Sequence, residues 1–101
     1  MAVLSVVPRY HTIRCKGVVL GQRASVLVDG GVKNNFIDAK MVEKINIPIE
    51  PFDGIIVVIP GYNTMQGNTW VPKLQVTIGN YTFVDSFYVV DDADNNVVLG
   101  V

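Results

Sequence analysis

The sequence predicts an all-β domain with one short helix. Three observations carry that reading. The apolar runs are dominated by β-branched and aliphatic residues, the runs are short, and Gly, Pro, Asn and Asp punctuate them at close intervals. Half of the 101 residues are hydrophobic, so a core can form, and the length fits one domain spanning 1–101. A domain this small buries a limited share of its surface, so association with a second copy would help it.

The elements follow in order. Thr12 to Val19 alternates as a half-buried strand, with Ile13 and Cys15 on one face. Leu20-Gly21-Gln22-Arg23 reads as a hairpin turn, and Ala24 to Val28 as an apolar strand that stops at Asp29-Gly30-Gly31. Asn35-Phe36-Ile37 is a short extended piece. A helix is expected over Ala39 to Ile45, with Asp38 as a side-chain cap, Met41, Val42 and Ile45 on one face, and Pro48 and Pro51 beyond its end. Ile55 to Ile59 reads as a strand, Pro60-Gly61-Tyr62-Asn63 as a turn, and Trp70 to Ile78 as the returning strand, with Pro72 suggesting an edge. Gly79-Asn80 joins it tightly to a strand over Tyr81 to Val90. A polar loop, Asp91 to Asn96, precedes a last short strand, Val97-Val98-Leu99. The strand-turn-strand unit of Val18 to Val28 is echoed in Val76 to Val90, as a duplicated unit or as two ordinary hairpins.

Composition narrows the function classes. Net charge is -1 with charges scattered, so the basic stripe of a nucleic-acid binder is absent. No apolar run is long enough to span a membrane, and the opening Met1-Ala2-Val3-Leu4-Ser5 lacks the pattern of a signal peptide. A single cysteine, Cys15, leaves no internal disulfide and fits a reducing, cytoplasmic setting. One Cys and one His, His11, give no structural zinc site, and no cofactor is implied. The acidic run Asp91-Asp92-Ala93-Asp94 lacks the spacing of a calcium loop and reads as a solvated turn. Cys15 and Trp70 read as packing residues, and His11 as a surface residue.

The stretch that carries chemistry is Val26-Leu27-Val28-Asp29-Gly30-Gly31. Aliphatic residues deliver a carboxylate to the end of a buried strand, and two glycines let the backbone turn close to whatever the carboxylate faces. Taken alone, Asp-Gly is also a common hairpin turn in which the Asp caps the bend.

The wider order of the chain resembles the retropepsin-like aspartic proteases, most closely those of gypsy-type LTR retrotransposons. The matching pieces are Lys16 to Gly21, Ser25 to Gly31, Asn35-Phe36-Ile37, Met41 to Ile45, Pro48-Ile49-Glu50, Phe87 to Val90 and Val97-Val98-Leu99-Gly100. The resemblance covers nearly everything from Thr12 onward. It implies a closed β-barrel of the acid-protease fold, with Asp29 as the catalytic aspartate and Gly31 as the glycine of the Asp-Ser/Thr-Gly motif. It implies a homodimer, since each subunit brings one aspartate, and a peptide or polyprotein substrate. Ile59, Pro60, Gly61 and Tyr62 would belong to the flap that closes over the peptide, and Val98-Leu99-Gly100 to the element beneath the catalytic loop.

The sequence departs from the family pattern twice. Gly30 stands where the family has Ser or Thr, whose hydroxyl braces the two catalytic loops across the dimer. Relatives also continue past Leu-Gly with a helix, whereas this sequence stops at Val101, as a truncated or a minimal domain would. Three functions therefore compete. They are a dimeric aspartic endopeptidase, a catalytically degenerate module of the same fold that binds or assembles, and an unrelated β-barrel adaptor whose Asp-Gly-Gly is only a turn.

Overall fold

The computed structural model describes residues 12–51, 63–64, 69–91 and 94–100. In chain order these form β1 (Thr12–Val19), β2 (Gln22–Asp29), β3 (Phe36–Asp38), α1 (Ala39–Ile45), β4 (Glu50–Pro51), β5 (Asn63–Thr64), β6 (Thr69–Ile78), β7 (Tyr81–Asp91) and β8 (Val97–Gly100). Six strands close into a barrel in the order β6-β1-β2-β8-β3-β7, because β7 pairs back onto β6. β4 and β5 are added to β6 and β7.

Two hairpins build most of this barrel. In the first, Leu20 and Gly21 both take positive φ, 47° and 81°, so a two-residue turn joins β1 to β2. The turn is tighter than the four residues expected, and Gln22 and Arg23 already belong to β2. In the second, Gly79 alone takes positive φ, 60°, before Asn80, and β6 returns directly as β7. The echo between the two halves has a structural counterpart. β2 runs parallel to β8, β7 runs parallel to β3, and β3 and β8 pair antiparallel between them. Each hairpin thus receives the short strand that follows the other.

The helix occupies the expected span, but its ends are made differently. Asp38 holds the N-cap position with extended φ and ψ, yet its side chain gives the first turn no hydrogen bond. That side chain is buried at the end of β3, so it is not laid over the helix amides. At the other end Asn46 adopts the left-handed conformation and its N–H reaches the carbonyls of Val42 and Glu43. The helix has ended before Pro48 is reached. Pro72 is also differently placed. β6 is an interior strand, and Pro72 lies in the register shift between Val71 and Leu74. A residue with no N–H fits where the ladder is interrupted, which serves as well as an edge.

The larger core joins both hairpins to the helix. It contains Val19, Val26, Ile37, Met41, Leu74, Val76, Phe87, Val97 and Leu99, with Cys15 packed against it. Strand alternation sends the intervening residues to the opposite face. There Leu27, Val32, Phe36, Val90 and Val98 form a second cluster with Tyr88. The acidic residues before β8 are exposed as expected where they are described, at Asp91 and Asp94, but the asparagines that follow them are not solvated in the same way. Asn95 is buried and Asn96 is tied to Ser25. His11 and the expected strand Ile55 to Ile59 lie outside the described residues.

Candidate active site

Asp29 is the last residue of β2 and is half-buried. Its strand pairs with β1 on one side and β8 on the other, which places Asp29 opposite Thr12 and opposite Gly100. The bend after it is not made by glycine's special conformations. Among the described glycines only Gly21 and Gly79 take positive φ. The turn is held instead by the aspartate itself, whose Oδ1 accepts the N–H of Gly31 at 2.8 Å, while the Val32 N–H reaches the Asp29 carbonyl at 3.4 Å. Gly31 therefore stands beside the carboxylate as a backbone donor to it.

Gly100 lies under this loop with almost no room to spare. A Cβ built on Gly100 would sit 2.6 Å from the carbonyl oxygens of Val32 and Asn34 and 2.8 Å from the Asn34 nitrogen. Its N–H donates to Asn35 Oδ1 at 3.1 Å. Asn35 then fastens the loop to β7, since its Nδ2 donates to the Ser86 carbonyl at 3.2 Å and its own carbonyl accepts the Tyr88 N–H at 2.9 Å. The Val98-Leu99-Gly100 element thus packs beneath the Asp29 loop, and the residue without a side chain stands where the loop backbone comes closest.

A continuous cross-strand row runs beside the aspartate. Trp70 pairs with Tyr88, Tyr88 with Phe36, Phe36 with Val98, and Val98 with Leu27. Trp70 stacks on Tyr88 with ring centroids 6.1 Å apart, and Phe36 meets Tyr88 at 6.0 Å. Leu27 precedes Asp29 by two residues, so the two side chains share one face of β2. The sequence alone did not mark this row as part of a site. Its signal was available only once the strand pairings were known, because its members are scattered from Leu27 to Val98.

β4 meets the start of β6 antiparallel, with Glu50 opposite Trp70 and Pro51 opposite Thr69. Pro51 and Thr69, the described residues on either side of 52–62 and 65–68, are thus neighbours across this ladder. Ile59, Pro60, Gly61 and Tyr62 fall within 52–62 and lie outside the described residues. Among the described residues no group of His, Cys, Asp and Glu is arranged to hold a metal ion. No helix of the described residues is long and apolar enough to cross a membrane.

The model of the PEG10/RTL1 protease domain matches residues 25–101. The chain belongs to this family of retropepsin-like aspartic protease domains. Its fold is also similar to the crystal structure of a retropepsin-like aspartic protease from Rickettsia conorii, with a TM-score of 0.60 and 12% identity over 93% of this chain and 81% of that chain. At that identity the likeness speaks for the fold alone. No curated protein matches the chain. The retropepsin-like barrel expected from the sequence is thus the fold observed, and the Asp29 loop lies in it closely packed on Gly100.

Proposed function

We propose that this retropepsin-like domain is one subunit of a homodimeric aspartic endopeptidase and that Asp29 is its catalytic carboxylate. The observation that carries the reading is the placement of Asp29. The carboxylate ends a buried strand, in a loop cradled on Gly100, with an apolar row beside it on the same face.

One aspartate per chain requires two chains for the chemistry. Two carboxylates a few ångströms apart cannot both ionise, so they share a proton. The ionised partner takes a proton from the bridging water as that water attacks the peptide carbonyl, and the protonated partner donates a hydrogen bond to the carbonyl oxygen. The pKa values of such a pair belong to the dyad and not to either residue. The substrate is an extended peptide, held by main-chain hydrogen bonds with alternate side chains in pockets. In this reading the row Trp70–Tyr88–Phe36–Val98–Leu27 offers apolar and aromatic surface to those side chains, and Ile59, Pro60, Gly61 and Tyr62 close over the peptide. Processing of a polyprotein is the role this assigns.

Gly30 favours a second reading, a degenerate module that keeps the fold and binds without cleaving. The hydroxyl that braces the family's catalytic loops across the dimer is missing here. Sedimentation combined with pepstatin-sensitive cleavage of a peptide mixture at mildly acidic pH separates the two. A dimer whose cleavage pepstatin stops supports the protease. A dimer that cleaves nothing supports the degenerate module, and a monomer that cleaves nothing contradicts the dimeric protease.

A further inference from the structure

The strand β8 is short, four residues, and it pairs parallel with β2 in one register only, from Val26 opposite Val97 to Asp29 opposite Gly100. Register matters here more than in an ordinary sheet. A slip by one residue would bring Leu99 or Val101 under the Asp29 loop, where even one Cβ meets three backbone atoms of Val32 and Asn34 at 2.8 Å or less. The fit at Gly100 bars a slipped register at one end of β8, and its pairing with β3 adds two more residues of ladder. A second constraint holds the other end.

That second constraint sits immediately before β8. Asn96 Oδ1 accepts both the backbone N–H of Ser25, at 2.8 Å, and its hydroxyl, at 3.1 Å. The Asn96 N–H is shared between the Ser25 hydroxyl oxygen at 2.9 Å and the Ser25 carbonyl at 3.1 Å. The Asn96 carbonyl accepts the N–H of Asp38 at 2.9 Å. One residue thus ties together β2, which carries Asp29, β3, which follows Asn35, and the start of β8, which carries Gly100.

We propose that Asn96 is a positioning residue for Asp29. It locks the β2–β8 register from the far end of the pairing, four residues before the carboxylate, and so sets the height of the Asp29 loop above Gly100. It touches neither substrate nor the reacting atoms, and the proposal rests on the protease reading of Asp29. The chemistry that matters is an acceptor at Oδ1, because both side-chain bonds to Ser25 end there. Aspartate keeps that acceptor and alanine removes it.

The test compares wild type with Asn96→Ala, Asn96→Asp and the milder Ser25→Ala, which leaves the Ser25 N–H in place. Each is measured for kcat and KM on one peptide substrate and for amide exchange at Gly100, whose N–H is bonded to Asn35. Asn96→Ala should lower kcat by about tenfold or more with KM within about twofold, since a sub-ångström misplacement of a catalytic group acts on the chemical step. It should also speed Gly100 exchange. Asn96→Asp should restore both values to near wild type, and Ser25→Ala should fall between. Equal damage from Asn96→Asp and Asn96→Ala, or a folded Asn96→Ala with unchanged kcat, overturns the proposal. If the wild type cleaves nothing, the protease reading fails and the exchange measurement decides alone. Faster Gly100 exchange in folded Asn96→Ala then supports the register lock, and unchanged exchange overturns it.

Discussion

Replacing Gly100 with alanine tests how closely the Asp29 loop is built onto β8. The added methyl would stand 2.6 Å from two carbonyl oxygens and 2.8 Å from a backbone nitrogen. Ordinary contact begins near 3.4 Å, so the loop must retreat by about 0.8 Å or the strand must move. Neither motion is easy. The offending atoms are backbone, and the loop is held at its two ends by the Gly31 N–H on Asp29 and by the Tyr88 N–H on the Asn35 carbonyl. Overpacking of this kind costs roughly 1–3 kcal/mol, and contacts that cannot rotate away belong at the upper end, about 3 kcal/mol. The opposing effect, a less flexible unfolded chain, stabilises by only about 0.4–1 kcal/mol. For a domain of this size each kcal/mol moves Tm by about 4–8 °C, so the net loss should lower Tm by roughly 10 °C or more. Gly21→Ala serves as the comparison. Gly21 has φ of 81°, but nothing lies within 4 Å of where its added methyl would stand, so only backbone strain of about 1 kcal/mol acts there. Thermal and urea unfolding of both variants should show Gly100→Ala as clearly the more damaging. A Gly100→Ala protein as stable as wild type, or more stable than Gly21→Ala, would refute the cradle.

Three further outcomes follow from the same structure. Phe87 is fully buried in the larger core, so Phe87→Ala should cost about 3–5 kcal/mol in urea unfolding; a loss under about 1 kcal/mol would place the core elsewhere. Gly30 does not take the positive φ that disfavours a side chain, and Gly30→Ser should tighten the proposed dimer by about 0.5–1.5 kcal/mol for each hydrogen bond restored. An unchanged dimer constant by analytical ultracentrifugation would show that no brace forms across the interface. Trp70 is the single tryptophan and stacks on Tyr88 in the row beside Asp29, so binding of a substrate peptide should alter its fluorescence. A saturating peptide that leaves the emission untouched would place the peptide away from that row.

Much of the barrel was legible in the sequence because its strongest signals are local. Gly79 marks a two-residue hairpin, the β-branched runs give the long strands of both hairpins, and Met41, Val42 and Ile45 give the helix its apolar face. Asp29 stood out for the same reason, since an aliphatic strand ending in Asp-Gly-Gly is visible within six residues. What remained hidden depends on partners far away in the chain. The parallel pairings of β2 with β8 and β3 with β7 join residues about fifty to seventy positions apart, and no period in the sequence encodes them. The row from Trp70 to Leu27 exists only through those pairings. Asn96 looked like one more polar residue in an acidic turn, because its value lies in Ser25, 71 residues earlier. Gly30 and Gly31 suggested a bend made by glycine geometry, whereas the Asp29 carboxylate makes it. Pro72 suggested an edge, whereas an interior bulge serves a residue without an N–H equally well.

The central claim is that Asp29 performs the chemistry, and one comparison tests it most directly. Wild type and Asp29→Asn are assayed for peptide cleavage at mildly acidic pH, with circular dichroism and sedimentation on the same samples. Asparagine keeps the size of the side chain and an oxygen that can accept the Gly31 N–H, but it cannot take the proton of the attacking water. The account predicts cleavage by wild type and none by Asp29→Asn, with the fold and the dimer retained. Cleavage by Asp29→Asn at the wild-type rate would contradict it.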